Sequence, residues 1–141
     1  MRVMALDVGF KRIGVAISDP LGLTASPYTI IHRKSNRETF KELLRIIDEK
    51  GVGKIVVGIP VNREGKVTQI GQKIKKFASK LEEFLKEEGR KVEITFWDEA
   101  YSTKEAQEIA RSLGKKKEEL DDYAAALILR EFLEQLQSKG Q

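Results

Sequence analysis

The sequence predicts an α/β domain on a mixed five-stranded sheet, a three-strand antiparallel meander plus two parallel strands, with helices on both faces. Three observations predict it. Short apolar, β-branched runs crowd the start of the chain; two further runs of the same kind follow at wider spacing; segments of helical periodicity separate and follow those two. At 141 residues the length suits a single domain over 1–141, with a sizeable core and no room for two lobes around a cleft.

Val3 to Leu6 is continuously apolar, as in a central strand buried on both faces, and Asp7 stands at its carboxyl end. Gly9 to Arg12 make a tight turn into a second apolar run. Thr24 to Ile31, β-branched and aromatic with one proline, suits a third strand near a sheet edge. Ser35 and Glu38 form a capping box for a helix from Asn36 to Lys50, in which Phe40, Leu43, Leu44 and Ile47 recur at helical spacing and which Gly51 stops. Lys54 to Gly58 reads as a buried parallel fourth strand. After a loop through Pro60 and Asn62 to Gly65, one apolar face of a long helix holds Ile70, Ile74, Phe77, Ala78, Leu81, Phe84 and Leu85, ending near Gly89. Val92, Ile94 and Phe96 alternate as a fifth strand that runs out into Trp97-Asp98-Glu99. Ser102 and Glu105 form a second capping box for a helix from Thr103 to Leu113, closed by Gly114, and the last helix runs from about Glu118 to Gln137.

Composition narrows the chemistry. With no cysteine and one histidine, His32, neither a disulfide, a thiolate site nor an imidazole cluster can form, so any metal must sit on oxygen. No apolar run reaches membrane-spanning length and the start lacks a signal-peptide layout, so a soluble, cytoplasmic protein without a membrane partner is expected. The net charge of +4 permits a polyanionic partner.

Parallel strands carry their functional loops at their carboxyl ends, so the acids after the first and fifth strands should share a rim. Asp7 is either a metal ligand or a group bonded to the turn amides of Gly9 through Arg12. Asp121 and Asp122 flank the apolar arc of the last helix, Ala125, Ile128, Leu129, Phe132 and Leu136, from opposite sides, so one of them leans inward. Helix starts attract acids, which accounts for Glu118, Glu119 and one Asp, though less well for an inward one. Acids from three distant segments point to hard divalent cations, Mg²⁺ or Mn²⁺, and to phosphoryl chemistry. A serine nucleophile has little support, because no histidine stands in a plausible role beside Ser18, Ser26 or Ser102. Basic residues collect at Lys11-Arg12, Arg33-Lys34-Arg37 and Lys115-Lys116-Lys117; Lys11 and Arg12, so near Asp7, are placed to flank a backbone phosphate. Trp97 could stack a base, but packing is the favoured reading.

Four blocks carry a resemblance: Asp7-Val8-Gly9-Phe10-Lys11-Arg12-Ile13-Gly14-Val15-Ala16; Val57-Gly58-Ile59-Pro60-Val61-Asn62 with Gly65; Asp98-Glu99 with Ser102-Thr103; and Asp121 ahead of Ala124-Ala125. In that order, and over nearly the whole chain, they resemble the YqgF/RuvX family of Holliday junction resolvases. The resemblance implies an RNase H-like fold and a metal-dependent nuclease whose acids are Asp7, Glu99 and Asp121, marking Asp121 over Asp122. It also implies nucleic-acid contacts at Lys11, Arg12, Asn62, Ser102 and Thr103. The implied partners are branched DNA or precursor rRNA, since family members are linked to maturation of the 16S rRNA 5′ end. Cutting a four-way junction symmetrically calls for two sites, hence a homodimer.

This chain departs from the family at three places. Phe10 stands where Thr is usual, Ala100 where an Arg usually follows the acidic pair, and the fourth strand ends Val57-Gly58 without the acid that related resolvases use there. Two other readings compete: an ATP-binding protein of the actin and sugar-kinase type, which the short chain disfavours, and a non-catalytic RNA- or ribosome-associated module.

Overall fold

The computed structural model describes residues 1–99 and 117–139, with side chains of the last helix described from 123 to 137. In chain order the elements are β1 (Arg2–Val8), β2 (Arg12–Ser18), β3 (Ala25–His32), α1 (Asn36–Lys50), β4 (Val52–Ile59), α2 (Gln69–Glu87), β5 (Glu93–Asp98) and α3 (Lys117–Lys139). The helix read over Thr103 to Leu113, with its Ser102 cap, lies outside the described residues.

The strands form one sheet in the order β3-β2-β1-β4-β5. β1 pairs antiparallel with β2 and parallel with β4, and β4 pairs parallel with β5, so the expected mixed sheet is present with β1 at its centre. β3 is one edge, and its pairing with β2 shifts register between Val15 and Ala16, where Ala16 faces Pro27. A proline has no amide to give a ladder, so an edge strand with an irregular step is where one fits.

Alternation along β1 divides the core. Met4, Leu6 and Val8 join Phe40, Leu43, Ile47, Phe77, Leu81 and Leu85 on the side covered by α1 and α2. Val3 and Ala5 join Ala125, Ile128, Leu129 and Phe132 on the side covered by α3. Asp7, between Leu6 and Val8, therefore belongs to the α3 face.

The helix ends follow their local chemistry. Ser35 Oγ accepts from the Glu38 amide at 3.2 Å, and Gly51 ends α1 in the left-handed conformation, its amide bonded to Ile47 O. Thr68 Oγ1 caps α2 by accepting from the Gly71 amide at 3.1 Å. Two apolar positions depart from the expected faces. Ile70 is 65% exposed because α2 approaches the sheet through Gly71, where an added Cβ would stand 2.9 Å from Ile59 Cγ2 and 3.0 Å from Pro60 O. Ile70, a residue earlier and so about 100° round the helix, is turned outward. Leu136 is likewise exposed, and Leu133 is buried near that end of α3.

Arg90 ties the last turn of α1 to the end of α2, with Nε 2.8 Å from Asp48 Oδ1 and Nη2 2.9 Å from Asp48 Oδ2. The guanidinium holds the Asp48 carboxyl below its ordinary value of 3.8. A carboxyl lowered in the folded state stabilises above its unfolded value, and that contribution is lost as pH falls through the folded one. Asp48→Asn should therefore lower the melting temperature modestly at neutral pH and leave it unchanged well below about pH 4, flattening the acid limb; an acid limb as steep as the wild type's would contradict it.

Candidate active site

The site lies at the carboxyl ends of the parallel strands, on the α3 face. β1 and β4 are in register through Leu6 and Val57, so one step further the same face carries Asp7 on β1 and Gly58 on β4, on strands about 4.8 Å apart. Beyond the Ile59–Asp98 pair, the Glu99 amide donates to Ile59 O at 2.9 Å, extending the β4–β5 ladder by one bond. That bond holds the Glu99 backbone against β4, and its side chain turns back over the sheet.

The turn brings the Glu99 carboxylate over Gly58. A Cβ at position 58 would stand 2.7 Å from Glu99 Oε2, 2.9 Å from Glu99 Cδ and 2.5 Å from Ile128 Cδ1, closer than real Cβ atoms come. The carboxylate thus fills the space a side chain on the fourth strand would occupy, beside the strand that carries Asp7. Glu99 is 8% exposed, and a carboxylate so enclosed needs a compensating partner or ion. Gly58, read from the sequence as the end of the fourth strand where related resolvases carry an acid, is the residue that leaves this space.

The remaining candidates among the described residues belong to α3, to the β1–β2 turn and to the loop after β4. α3 carries Asp121 seven residues before Ile128, which puts the two positions on one face of the helix. Its side chain lies outside the described residues, as do those of Ser102 and Thr103. Lys11 is exposed and Arg12 half-buried, at and just after the β1–β2 turn. Asn62 Oδ1 accepts from the amides of Glu64 at 3.0 Å and Lys66 at 2.9 Å, so that oxygen organises the loop after β4. Trp97 packs, as favoured: its Nε1–H donates to Glu131 Oε2 at 3.0 Å and its ring meets Phe132 edge-on at 6.0 Å.

A hard divalent cation suits the donor type, since Asp7 and Glu99 offer only oxygen. Among the described residues no group of three His, Cys, Asp or Glu side chains could hold a metal ion. Nor is any helix among them long and apolar enough to cross a membrane.

Comparison with known proteins points one way. Residues 1–135 match the model of the RuvX family, described as Holliday junction resolvase. A protein of Thermoanaerobacter pseudethanolicus provisionally named a pre-16S rRNA nuclease is 42% identical over 144 aligned positions, covering 99% of this chain and all of that one. A Clostridium novyi protein of the same name is 42% identical over 140, covering 96% of this chain and all of its own. Among solved structures, Thermus thermophilus RuvC bound to a Holliday junction aligns with a TM-score of 0.61 at 14% identity, over 97% of this chain and 96% of that one. Fowlpox virus resolvase with its junction DNA aligns at 0.55 and 16%, over 96% and 99%. At such identities these two structures establish the fold.

Proposed function

Because the chain belongs to the RuvX family of Holliday junction resolvases, we propose that this nuclease hydrolyses phosphodiester bonds in branched DNA or precursor 16S rRNA through a metal site of Asp7, Glu99 and Asp121. The observation that carries the reading is the Glu99 carboxylate lying over Gly58 on the face that holds Asp7. Two carboxylates on one face at neighbouring strand ends make an all-oxygen donor set, the kind a hard divalent cation takes.

Asp7, Glu99 and Asp121 would hold Mg²⁺ or Mn²⁺, with Asp7 contributed by the end of the central strand. When bound, such ions activate a water and steady the leaving oxygen. The protein's own part is to fix Asp7 and Glu99 at the ends of rigid strands, exclude bulk water from Glu99, and hold the nucleic-acid strand. Lys11 and Arg12 neutralise phosphates, while Asn62, Ser102 and Thr103 supply further contacts to the nucleic acid. Two copies would cut a four-way junction symmetrically, and a protein acting on precursor rRNA works in the cytoplasm.

A four-way DNA junction and precursor 16S rRNA, incubated side by side with Mg²⁺ or Mn²⁺, test the reading. Metal-dependent cutting of either supports it and names the substrate; a folded protein that cuts neither leaves a non-catalytic binding module. Replacing Lys11 and Arg12 together by Ala should weaken binding for all sequences alike and reduce the slope of log affinity against log salt by up to about 2. An unchanged slope would remove both from the phosphate contacts.

A further inference from the structure

Phe10 and Ile70 are large apolar side chains that folding leaves in water, 87% and 65% exposed. Scattered exposed apolar residues are ordinary, but these two line one cavity of 380 Å³ between the β1–β2 turn and the start of α2. Val8, Ile74 and Phe77 form its apolar floor, Arg33 and Lys73 supply its charge, and among the described residues no acid lines it. Arg33 is held in place: Nη1 donates to Gly9 O at 2.8 Å, Nη2 to Asn36 Oδ1 at 3.3 Å, and the guanidinium stands 4.7 Å from the centre of the Phe77 ring.

We propose that this cavity receives one unpaired nucleobase of the substrate strand, stacked on Phe10, with Arg33 and Lys73 meeting the adjoining phosphates. The proposal rests on the nuclease reading above and adds to it a requirement for an unpaired base beside the cut. Three features select this occupant. The size falls within the usual range for small-ligand sites, about 300–1,000 Å³. Two cations with no acid favour a polyanion over a neutral apolar ligand, and over a second copy of a chain whose net charge is already +4. Position also agrees. Asp7 belongs to the α3 face and Val8 to the opposite one, so the turn that follows leads from the acids to the cavity. A strand crossing this rim with a phosphate at Asp7 brings a flanking nucleotide to Phe10. Every base presents a π-face, so the cavity would select for being unpaired rather than for sequence.

Binding measured by fluorescence anisotropy, with Ca²⁺ replacing Mg²⁺, tests this on two labelled DNA probes: a fully paired duplex, and one of equal length with a single unpaired base. The wild type should prefer the bulged probe by about tenfold, the scale of one base–aromatic stack. Phe10→Ala should bring that ratio close to one, and Ile70→Ala should lower it. Both variants should keep the wild-type melting temperature, because neither side chain is in the core. Phe10→Ala with the preference intact would overturn the proposal. So would a dimer in sedimentation velocity that Phe10→Ala dissociates without nucleic acid, since the cavity would then be covered by a second copy. A wild type that binds both probes equally overturns this inference alone; one that binds neither these probes nor their RNA counterparts removes the nuclease reading as well.

Discussion

Asp7→Asn should abolish cleavage, leave the protein folded, and erase most of its stabilisation by divalent metal. The substitution keeps the shape of the side chain and removes its charge. Without metal, two acids on one face repel, so the variant's stability should equal or exceed that of the metal-free wild type. With metal a hundredfold above its dissociation constant, binding to the folded state alone contributes about 2.7 kcal/mol. For a chain of 141 residues that is a rise in melting temperature of about 9 °C, which Asp7→Asn should lack. The three effects should appear together. If Asp7→Asn unfolds the protein, Asp7 is a turn residue bonded to backbone amides; if it still cuts with its metal response intact, the site lies elsewhere.

Gly58→Ala should be nearly as damaging to metal response and cleavage while costing the fold only about 1–3 kcal/mol, the usual range for an overpacked core. The atoms in the way of the new methyl, Glu99 Oε2 and Ile128 Cδ1, are both ends of flexible side chains. They can yield, but Glu99 yields by moving its carboxylate away from Asp7. A misplacement of about 1 Å at a reacting centre can cost on the order of a hundredfold in rate. Adding Ile128→Val removes the apolar clash and should recover part of the stability without recovering cleavage. Recovery of both would assign the defect to packing against α3 and leave Glu99 without a role.

Most of the scaffold was legible because local signals agreed with one another. Ser35, Glu38 and Gly51 bounded α1, the continuous apolar run of β1 marked the central strand, and Pro27 marked the edge. Ile70 and Leu136 misled, since periodicity shows which residues could face a core but not where the sheet beneath a helix ends. The acids were legible as acids. What the sequence could not show was their relation, because the place of Glu99 over Gly58 depends on the β4–β5 register and the bond to Ile59 O, both tertiary facts. The absent fourth-strand acid looked like a gap in the site, whereas Gly58 makes room for a carboxylate from the next strand. Phe10 and Ile70 are sixty residues apart, and only the packing of α2 beside the β1–β2 turn makes them walls of one cavity.

The central claim is that Asp7 and Glu99, from separate strands, act as one metal site, and a double-mutant cycle read by calorimetric titration with Mn²⁺ tests it most directly. Asp7→Asn and Glu99→Gln should each remove nearly all the binding heat, and the double variant should lose little more than either. Independent losses that add, or Mn²⁺ binding that survives in the double variant, would contradict a shared site.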